Sequence, residues 1–383
     1  MKFLHLGDLH LGKSLMDYSL KEDQEYILNQ IIDVAVKEKV TAILIAGDIY
    51  DRADPSEEAV RLLDRFLRTL VSKQIKAFII SGNHDSDDRL EFGSSLFETN
   101  GIYISAKFNG KLYQRTLEEN GEKVNICLLP FVKASQVRHY YPDAEIRDYE
   151  GAVKKVLESA GINENETNIL VAHQFVTGKN GVSLSGSEGT TVKNVGLVEQ
   201  ISASCFDRFD YVALGHIHAP QELGRETIRY AGSPIKYSLS EINKDKSMPL
   251  LTVENGRVSV ELIPLKPKRD MRHLKGKMEQ LLAKDVVEKT EDFIYVTLTD
   301  EDIIPDAMGI FRASYPNMLH IDYDNSHTKV LDQDDPVQIV ENKSFDELIR
   351  DFYRLIYQQD MSEEEMAVMR DAAGKAGVIH ETE

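Results

Sequence analysis

Apolar positions in the first two thirds of the chain follow two alternating patterns. Short continuous runs, as expected of strands buried on both faces, alternate with stretches in which apolar residues recur three and four positions apart, as expected of amphipathic helices. The runs Phe3-Leu4-His5-Leu6, Ala42-Ile43-Leu44-Ile45-Ala46, Ala77-Phe78-Ile79-Ile80, Asn168-Ile169-Leu170-Val171-Ala172 and Tyr211-Val212-Ala213-Leu214 predict buried strands. After the first of them, Leu28, Ile31, Ile32 and Ala35 form a helical face, and Ser19 with Glu22 predicts a capping box at its start. Asp54, Pro55 and Glu57 predict a second helix, as N-cap, first-turn proline and acidic first turn. Its apolar positions, Val60, Leu62, Leu63, Phe66, Leu67, Leu70 and Val71, occupy more than one face. Two readings fit: a helix buried between layers, or one whose outer side meets another subunit.

Beyond residue 265 the pattern changes. Lys266, Lys268, Arg269, Arg272, Lys275 and Lys277 crowd a short stretch with Asp270 as its one acid; phosphate contact and a solvated linker both fit. A helix, the strand Phe293-Ile294-Tyr295-Val296-Thr297-Leu298, a helix near Pro305 to Ser314 and a strand near Met318 to Tyr323 follow, which together make a small α/β unit. From Ser344 the chain reads as two helices, opened by the capping boxes Ser344/Glu347 and Ser362/Glu365. Phe345, Leu348, Ile349, Phe352, Leu355 and Ile356 form an apolar stripe on the first, and Met366, Val368 and Met369 lie on the second. The expected organisation is a large α/β domain over 1–265, a small one over 266–335 and a helical segment over 340–383.

A chain of 383 residues, 42% hydrophobic and 28% charged, suits a large globular domain with smaller attachments. No apolar run approaches the roughly 20 residues that span a bilayer. The N-terminus enters a strand pattern at once rather than a signal peptide, so a cytoplasmic location is expected. Cys127 and Cys205 sit in or beside apolar runs and read as buried free thiols. The net charge of −19 is unfavourable for binding nucleic acid, whose affinity comes largely from Lys and Arg. Bound divalent cations, clustered basic residues or a partner subunit would offset it.

Each apolar run ends in a polar cluster, and together these clusters supply Asp8, His10, Asp48, Asn83, His173, His216 and His218. Ligands of layered α/β folds gather at strand carboxyl ends, so one shared rim is expected. These nitrogen and oxygen donors are too many for one ordinary transition-metal ion and suit two ions with a bridging carboxylate, for which Asp48 is the candidate. Such a pair activates water and clamps phosphoryl oxygens, which points to phosphoester hydrolysis. The absence of thiolates points to manganese, although zinc, iron or cobalt suit the same groups. A single His-x-His on a regular strand would aim its rings at opposite faces unless the backbone turns there.

Asp8-x-His10, Gly47-Asp48-x-x-Asp51, Gly82-Asn83-His84-Asp85, the strand ending in His173 and Gly215-His216-x-His218 resemble, in order, the five motifs of calcineurin-like metallophosphoesterases. The resemblance implies a four-layer αββα sandwich. It also implies one ion on Asp8, His10, Asp48 and His218, a second on Asp48, Asn83, His173 and His216, and His84 as the catalytic histidine. Archaeal and eukaryotic nucleases of this family commonly carry a second histidine where this chain has Asp51. Asp51 and Asp85 are accordingly assigned supporting roles around the ligands, such as orienting His84.

The superfamily also contains phosphatases and cyclic-nucleotide phosphodiesterases, so the five motifs alone do not name a substrate. The opening Phe3 to Lys13 and the stretch Tyr230-Ala231-Gly232-Ser233-Pro234-Ile235 are similar to bacterial nucleases of the SbcD family. That likeness implies manganese-dependent cleavage at DNA double-strand ends and hairpins, in repair and recombination. It implies a capping domain over about 268–330 and a tail docked on an SbcC-type coiled-coil ATPase. It also implies a homodimer through helices near 56–73 and 86–98.

Overall fold

The structure is a computed structural model that describes residues 1–119, 121–179, 181–184, 200–283, 287–326, 345–357 and 360–375. It divides into two compact units, Met1–Met271 and Arg272–Glu383.

The first unit is built on two six-stranded sheets. One has the order Arg257–Pro264, Ser247–Glu254, Lys2–Leu6, Ala42–Ala46, Lys76–Ile80, Ile102–Ser105, and its last four strands are parallel. The other runs Gln221–Leu223, Arg225–Tyr230, Tyr211–Gly215, Thr167–His173, Glu122–Leu129, Tyr113–Glu119, with its central four strands parallel. Because side chains alternate along a strand, each sheet is apolar on both faces. Phe3, Leu44 and Phe78 meet Val124, Ile169 and Tyr211 in a core between the sheets. On its other side the second sheet packs Leu170, Val212 and Leu214 against Val137, Val153 and Val156 of the helices Ala134–Tyr140 and Tyr149–Glu158. The alternate residues Leu4, Ile43, Ile45 and Ile79 of the first sheet are buried on its outer face, where the helix Glu57–Ser72 lies against the strand Lys76–Ile80. Helices thus flank two stacked sheets, the four-layer αββα sandwich that the motifs implied.

Several local signals resolve differently from expectation. The first helix, Lys21–Lys37, buries Leu28, Ile31, Ile32 and Ala35, but its N-cap is Leu20. Ser19 Oγ reaches only Lys21 N, and Glu22 turns away to pair with Lys268, so no capping box forms. The second helix starts at Glu57 with Ser56 as N-cap, accepting from Ala59 N at 3.2 Å. Asp54 and Pro55 precede it, and Asp54 pairs instead with Arg89 at 2.7 Å. Leu62, Leu63 and Phe66 are buried in the chain's own core, so the outer-face reading does not hold for them. The segment near 86–98 forms two short helices, Asp87–Glu91 and Ser94–Glu98, separated at Phe92 and Gly93, where Gly93 takes φ +77°. Cys127 is buried as expected, whereas Cys205 is half-buried.

The basic segment is not a free cationic surface. Lys268 and Arg269 pair with Glu22 and Asp23 of the first helix. Arg272 and Lys275 pair with Glu288 and Asp324. Its second half is a strand, Met271–Gly276, that joins Phe293–Leu298 and Met318–Tyr323 in a three-stranded sheet. The latter two strands are parallel, joined through the helix Ala307–Ser314, whose Phe311 packs on Ile294, Val296 and Leu298. The small α/β unit read from the pattern is therefore present, with one more strand.

Two helices follow, Phe345–Tyr357 and Glu363–Lys375. They are tied to each other by Arg350–Glu363 and Arg370–Asp346 and by Tyr353 Oη donating to Glu365 at 2.6 Å. The Ser362/Glu365 capping box forms, with Glu365 accepting from Ser362 N at 2.8 Å and Ser362 Oγ accepting from Glu365 N at 3.3 Å. Ser344 lies outside the described residues. Met366 is fully buried, while Val368 and Met369 are exposed.

Candidate metal centre

The five parallel strand ends meet on one edge of the sandwich, where the sheets almost touch. A Cβ on Gly215 would sit 1.8 Å from Ala46 O, and one on Gly82 would sit 2.1 Å from Asp48 Oδ1. Only glycine admits that approach, which explains why the polar clusters carry glycines beside their ligating residue types. Asp8, His10, Asp48 and His216 all have positive φ, at 54°, 42°, 50° and 97°. Such backbone costs a non-glycine residue about 1 to 3 kcal/mol and collects at functional sites. At His216 the turned backbone removes the difficulty of a His-x-His motif: His216 and His218 both reach the cluster.

Asp48 lies at the centre. Its Oδ2 is 3.6 Å from His10 Nε2 and 3.4 Å from His173 Nε2, and its Oδ1 accepts from His84 N at 3.0 Å. On one side, His10 Nε2 and His218 Nε2 stand 3.1 Å apart with Asp8 close to both rings. On the other, Asn83 Oδ1 is 3.1 Å from His173 Nε2 and 2.9 Å from His216 Nδ1. Asp8 Oδ1 accepts from His216 N at 2.8 Å, tying the two sides together.

These contacts suit divalent cations. His173 Nδ1 donates to the Ala46 carbonyl at 2.7 Å, so its Nε2 in the neutral ring is a lone pair aimed at the oxygens of Asp48 and Asn83. Burial disfavours a charged imidazole, but the Asp48 carboxylate outweighs burial and raises the His173 pKa to about 9. A proton there supplies the positive charge that a metal ion would bring. Asp48 is held well below the usual carboxylate range; His173, His10 and His84 overcome the opposing effect of burial. His216 is lowered to about 3 by burial, and its buried Nε2 has no hydrogen-bond partner among the described residues. The 3.1 Å between His10 and His218 nitrogens matches two ligands each about 2.1 Å from a common ion.

Residues 1–220 match the family of calcineurin-like phosphoesterases, and residues 267–357 match a family described as the type 5 capsule protein repressor C-terminal domain. The chain is 35% identical over 375 residues to the SbcD nuclease of the SbcCD complex from Staphylococcus epidermidis, covering 95% of each. The chain belongs to the SbcD nucleases of the calcineurin-like phosphoesterase family. It is a metal-dependent phosphodiester hydrolase. Two solved structures also align: a dimetal phosphatase from Danio rerio, 14% identical with TM-score 0.37 over 70% of this chain and 99% of that one, and a Thermus thermophilus protein, 14% identical with TM-score 0.39 over 68% and 98%.

In this SbcD-family site the residues around the cluster are as specific as the cluster itself. His84 Nδ1 donates to the Asp51 carbonyl at 3.0 Å, and its ring stands edge-on to His10 with centroids 4.9 Å apart. Asp51 Oδ1 is 3.4 Å from His10 Nδ1 and accepts from Lys13 Nζ at 2.6 Å. Asp85 does not face the cluster. It accepts from Ile49 N, Tyr50 N and Gly82 N at 3.1, 2.9 and 2.9 Å, pinning two rim loops together, and burial with the nearby Asp48 charge raises it to about 6.

Sequence reasoning missed three supports. Gln24, buried on the first helix, donates to His10 O at 2.7 Å and accepts from Gly12 N at 3.0 Å. Tyr237 donates to Leu9 O at 2.5 Å and lays its ring against His10 and His218. Lys246, paired with the buried Glu241, donates to His218 O at 2.9 Å. The Tyr230–Ile235 stretch carried a partial signal, since Ser233 Oγ in it accepts from the same lysine at 2.8 Å.

Proposed function

We propose that this chain is the manganese-dependent nuclease subunit of a DNA-processing complex, acting on double-strand ends and hairpins with an SbcC-type coiled-coil ATPase. The observation that carries the site assignment is the position of Asp48 Oδ2 between His10 and His173, 3.6 and 3.4 Å away. Asp8, His10, Asp48 and His218 hold one divalent cation, and Asp48, Asn83, His173 and His216 hold the other. The pair, when bound, supplies a hydroxide nucleophile and charge neutralisation at the phosphoryl oxygens.

The protein's own part is placement and proton supply. With Nδ1 committed to the Asp51 carbonyl, His84 presents Nε2 as its working nitrogen, able to hydrogen-bond or protonate the leaving oxygen. Asp51 keeps His10 in position through its carboxylate and His84 through its carbonyl, while Asp85 fixes the loop that carries Asn83 and His84.

The DNA substrate and the ATPase partner rest on the 35% identity to an SbcCD nuclease and on the match over residues 267–357. A homodimer is supported by Phe92, Leu96 and Phe97, which are exposed on the short helices beyond the second helix; Phe92 and Phe97 border a groove of about 600 Å³ with Val60 and Leu67. Among the described residues no helix is long and apolar enough to cross a membrane. A cytoplasmic location goes with the DNA substrate.

End-labelled duplex and hairpin oligonucleotides, incubated with manganese with and without the ATPase, test the reading. Cleavage that requires the metal and increases with partner and ATP supports it. Turnover of small nucleotide diesters alone, indifferent to the partner, would replace it with a nucleotide phosphodiesterase.

A further inference from the structure

The loop after His10 places a cation beside the metal centre that none of the roles above requires. Lys13 N donates to His10 O at 3.1 Å, closing a turn whose backbone is clamped by Gln24, so the root of the Lys13 side chain is fixed relative to His10. Its ammonium donates to Asp51 Oδ1 at 2.6 Å and stands 5.5 Å from the centre of the Tyr237 ring, which itself contacts His10 and His218. Solvent access rises along this line, from 1% for the His10 side chain to 16% for Asp51 and 20% for Lys13.

The charges on that line do not cancel. Arg52 Nε lies 4.0 Å from the other oxygen of Asp51, so two cations share one carboxylate. Asp51 is held below the usual carboxylate range; its bonds to His10 and Lys13 outweigh burial, so the carboxylate stays ionised and the ammonium stays anchored. An ammonium has three N–H donors, and Asp51 takes one. Two remain at a solvent-reachable rim next to Asp8, His10 and His218, in a chain whose net charge of −19 otherwise repels a polyanion.

We propose that Lys13 is a substrate-binding residue, held by Asp51 so that its ammonium takes a backbone phosphate oxygen next to the scissile phosphodiester. The assignment rests on the nucleic-acid reading above and deepens it. A phosphate neighbour exists only in a polynucleotide, so Lys13 favours a nucleic-acid strand over an isolated diester. The alternative is a lysine that only braces Asp51 and His10.

The two differ in kinetics. For the full chain with manganese, Lys13→Met should raise KM for a duplex oligonucleotide about tenfold, the worth of one charge-assisted hydrogen bond. It should leave kcat within about twofold, and lower the slope of log KM against log salt by about one. Lys13→Arg should restore most of the affinity and the slope, since the guanidinium keeps the charge. Metal analysis should find the wild-type content in both variants. Unchanged KM and salt slope in Lys13→Met would overturn the assignment, as would loss of metal with a fall in kcat, the result expected of a brace. A wild-type chain that fails to cut the duplex in the same series would instead overturn the DNA reading and this assignment with it.

Discussion

The backbone carbonyl of Asp51 accepts a hydrogen bond from His84 Nδ1 at 3.0 Å. A carbonyl can only accept, so the bond fixes the tautomer of His84 and leaves Nε2 for the substrate. Because the contact is to backbone, substitution at position 51 leaves it in place. His84→Ala removes a group that acts on the leaving oxygen and no proposed ligand. We expect kcat to fall by about 10² to 10⁴ with metal content unchanged, as read by turnover and elemental analysis of the same preparation. Metal loss in that variant would make His84 a structural support.

Asp48→Ala should behave differently. Asp48 Oδ2 faces histidines on both sides of the centre and Oδ1 holds the backbone of His84. Removing a shared ligand should empty both positions and abolish activity together. Two ions retained at wild-type affinity would show that the bridge lies elsewhere.

The reach of the sequence can be judged residue by residue. Phe3, Leu44, Ile169 and Tyr211 are legible as strand residues because continuous apolar runs have few other uses, and their shared rim follows from parallel strands ending together. What escaped depends on contacts across the chain. Gln24 reads as an ordinary helix-surface residue until the fold brings it 2.7 Å from the His10 carbonyl. Lys268 and Arg269 look like a phosphate-binding run, and only the packed structure gives them Glu22 and Asp23 as partners. Capping failed at Ser19 and Asp54 for a related reason. A cap motif states a local preference, and the short strand at Tyr18–Ser19 and the Asp54–Arg89 pair claim those residues first.

The apolar pattern near residue 60 expects Leu62, Leu63 and Phe66 to meet a second copy, but these three belong to the core. Truncating Phe66 to Ala should therefore lower stability by about 3 to 5 kcal/mol rather than change the oligomeric state. The dimer test falls on the exposed residues of the short helices, Phe92 and Leu96, which are 82% and 72% exposed. A Phe92→Glu, Leu96→Glu double variant should run as a monomer by light scattering at micromolar concentration, with its melting temperature unchanged. A dimer mass in that variant would place the contact on another face.

The paired helices at 345–357 and 363–375 carry the partner prediction. They are joined by ion pairs and by the Tyr353–Glu365 bond, which sets them side by side. Met366 is fully buried and so unavailable, whereas Leu348, Phe352, Val368 and Met369 stay exposed, with Phe352 at 61% and Val368 at 68%. Apolar side chains left out on both helices suit the surface of a coiled coil, and Met adapts to its irregularities. A partner held there could also contribute the cationic surface that a chain of net charge −19 lacks. Phe352→Glu with Val368→Glu changes only exposed positions, so manganese-dependent cleavage of single-stranded oligonucleotides should remain. Co-purification with the ATPase, and stimulation of duplex-end cleavage by ATP, should be lost together. Undiminished partner binding in that double variant would mean that the ATPase docks elsewhere and that these residues only fringe the fold.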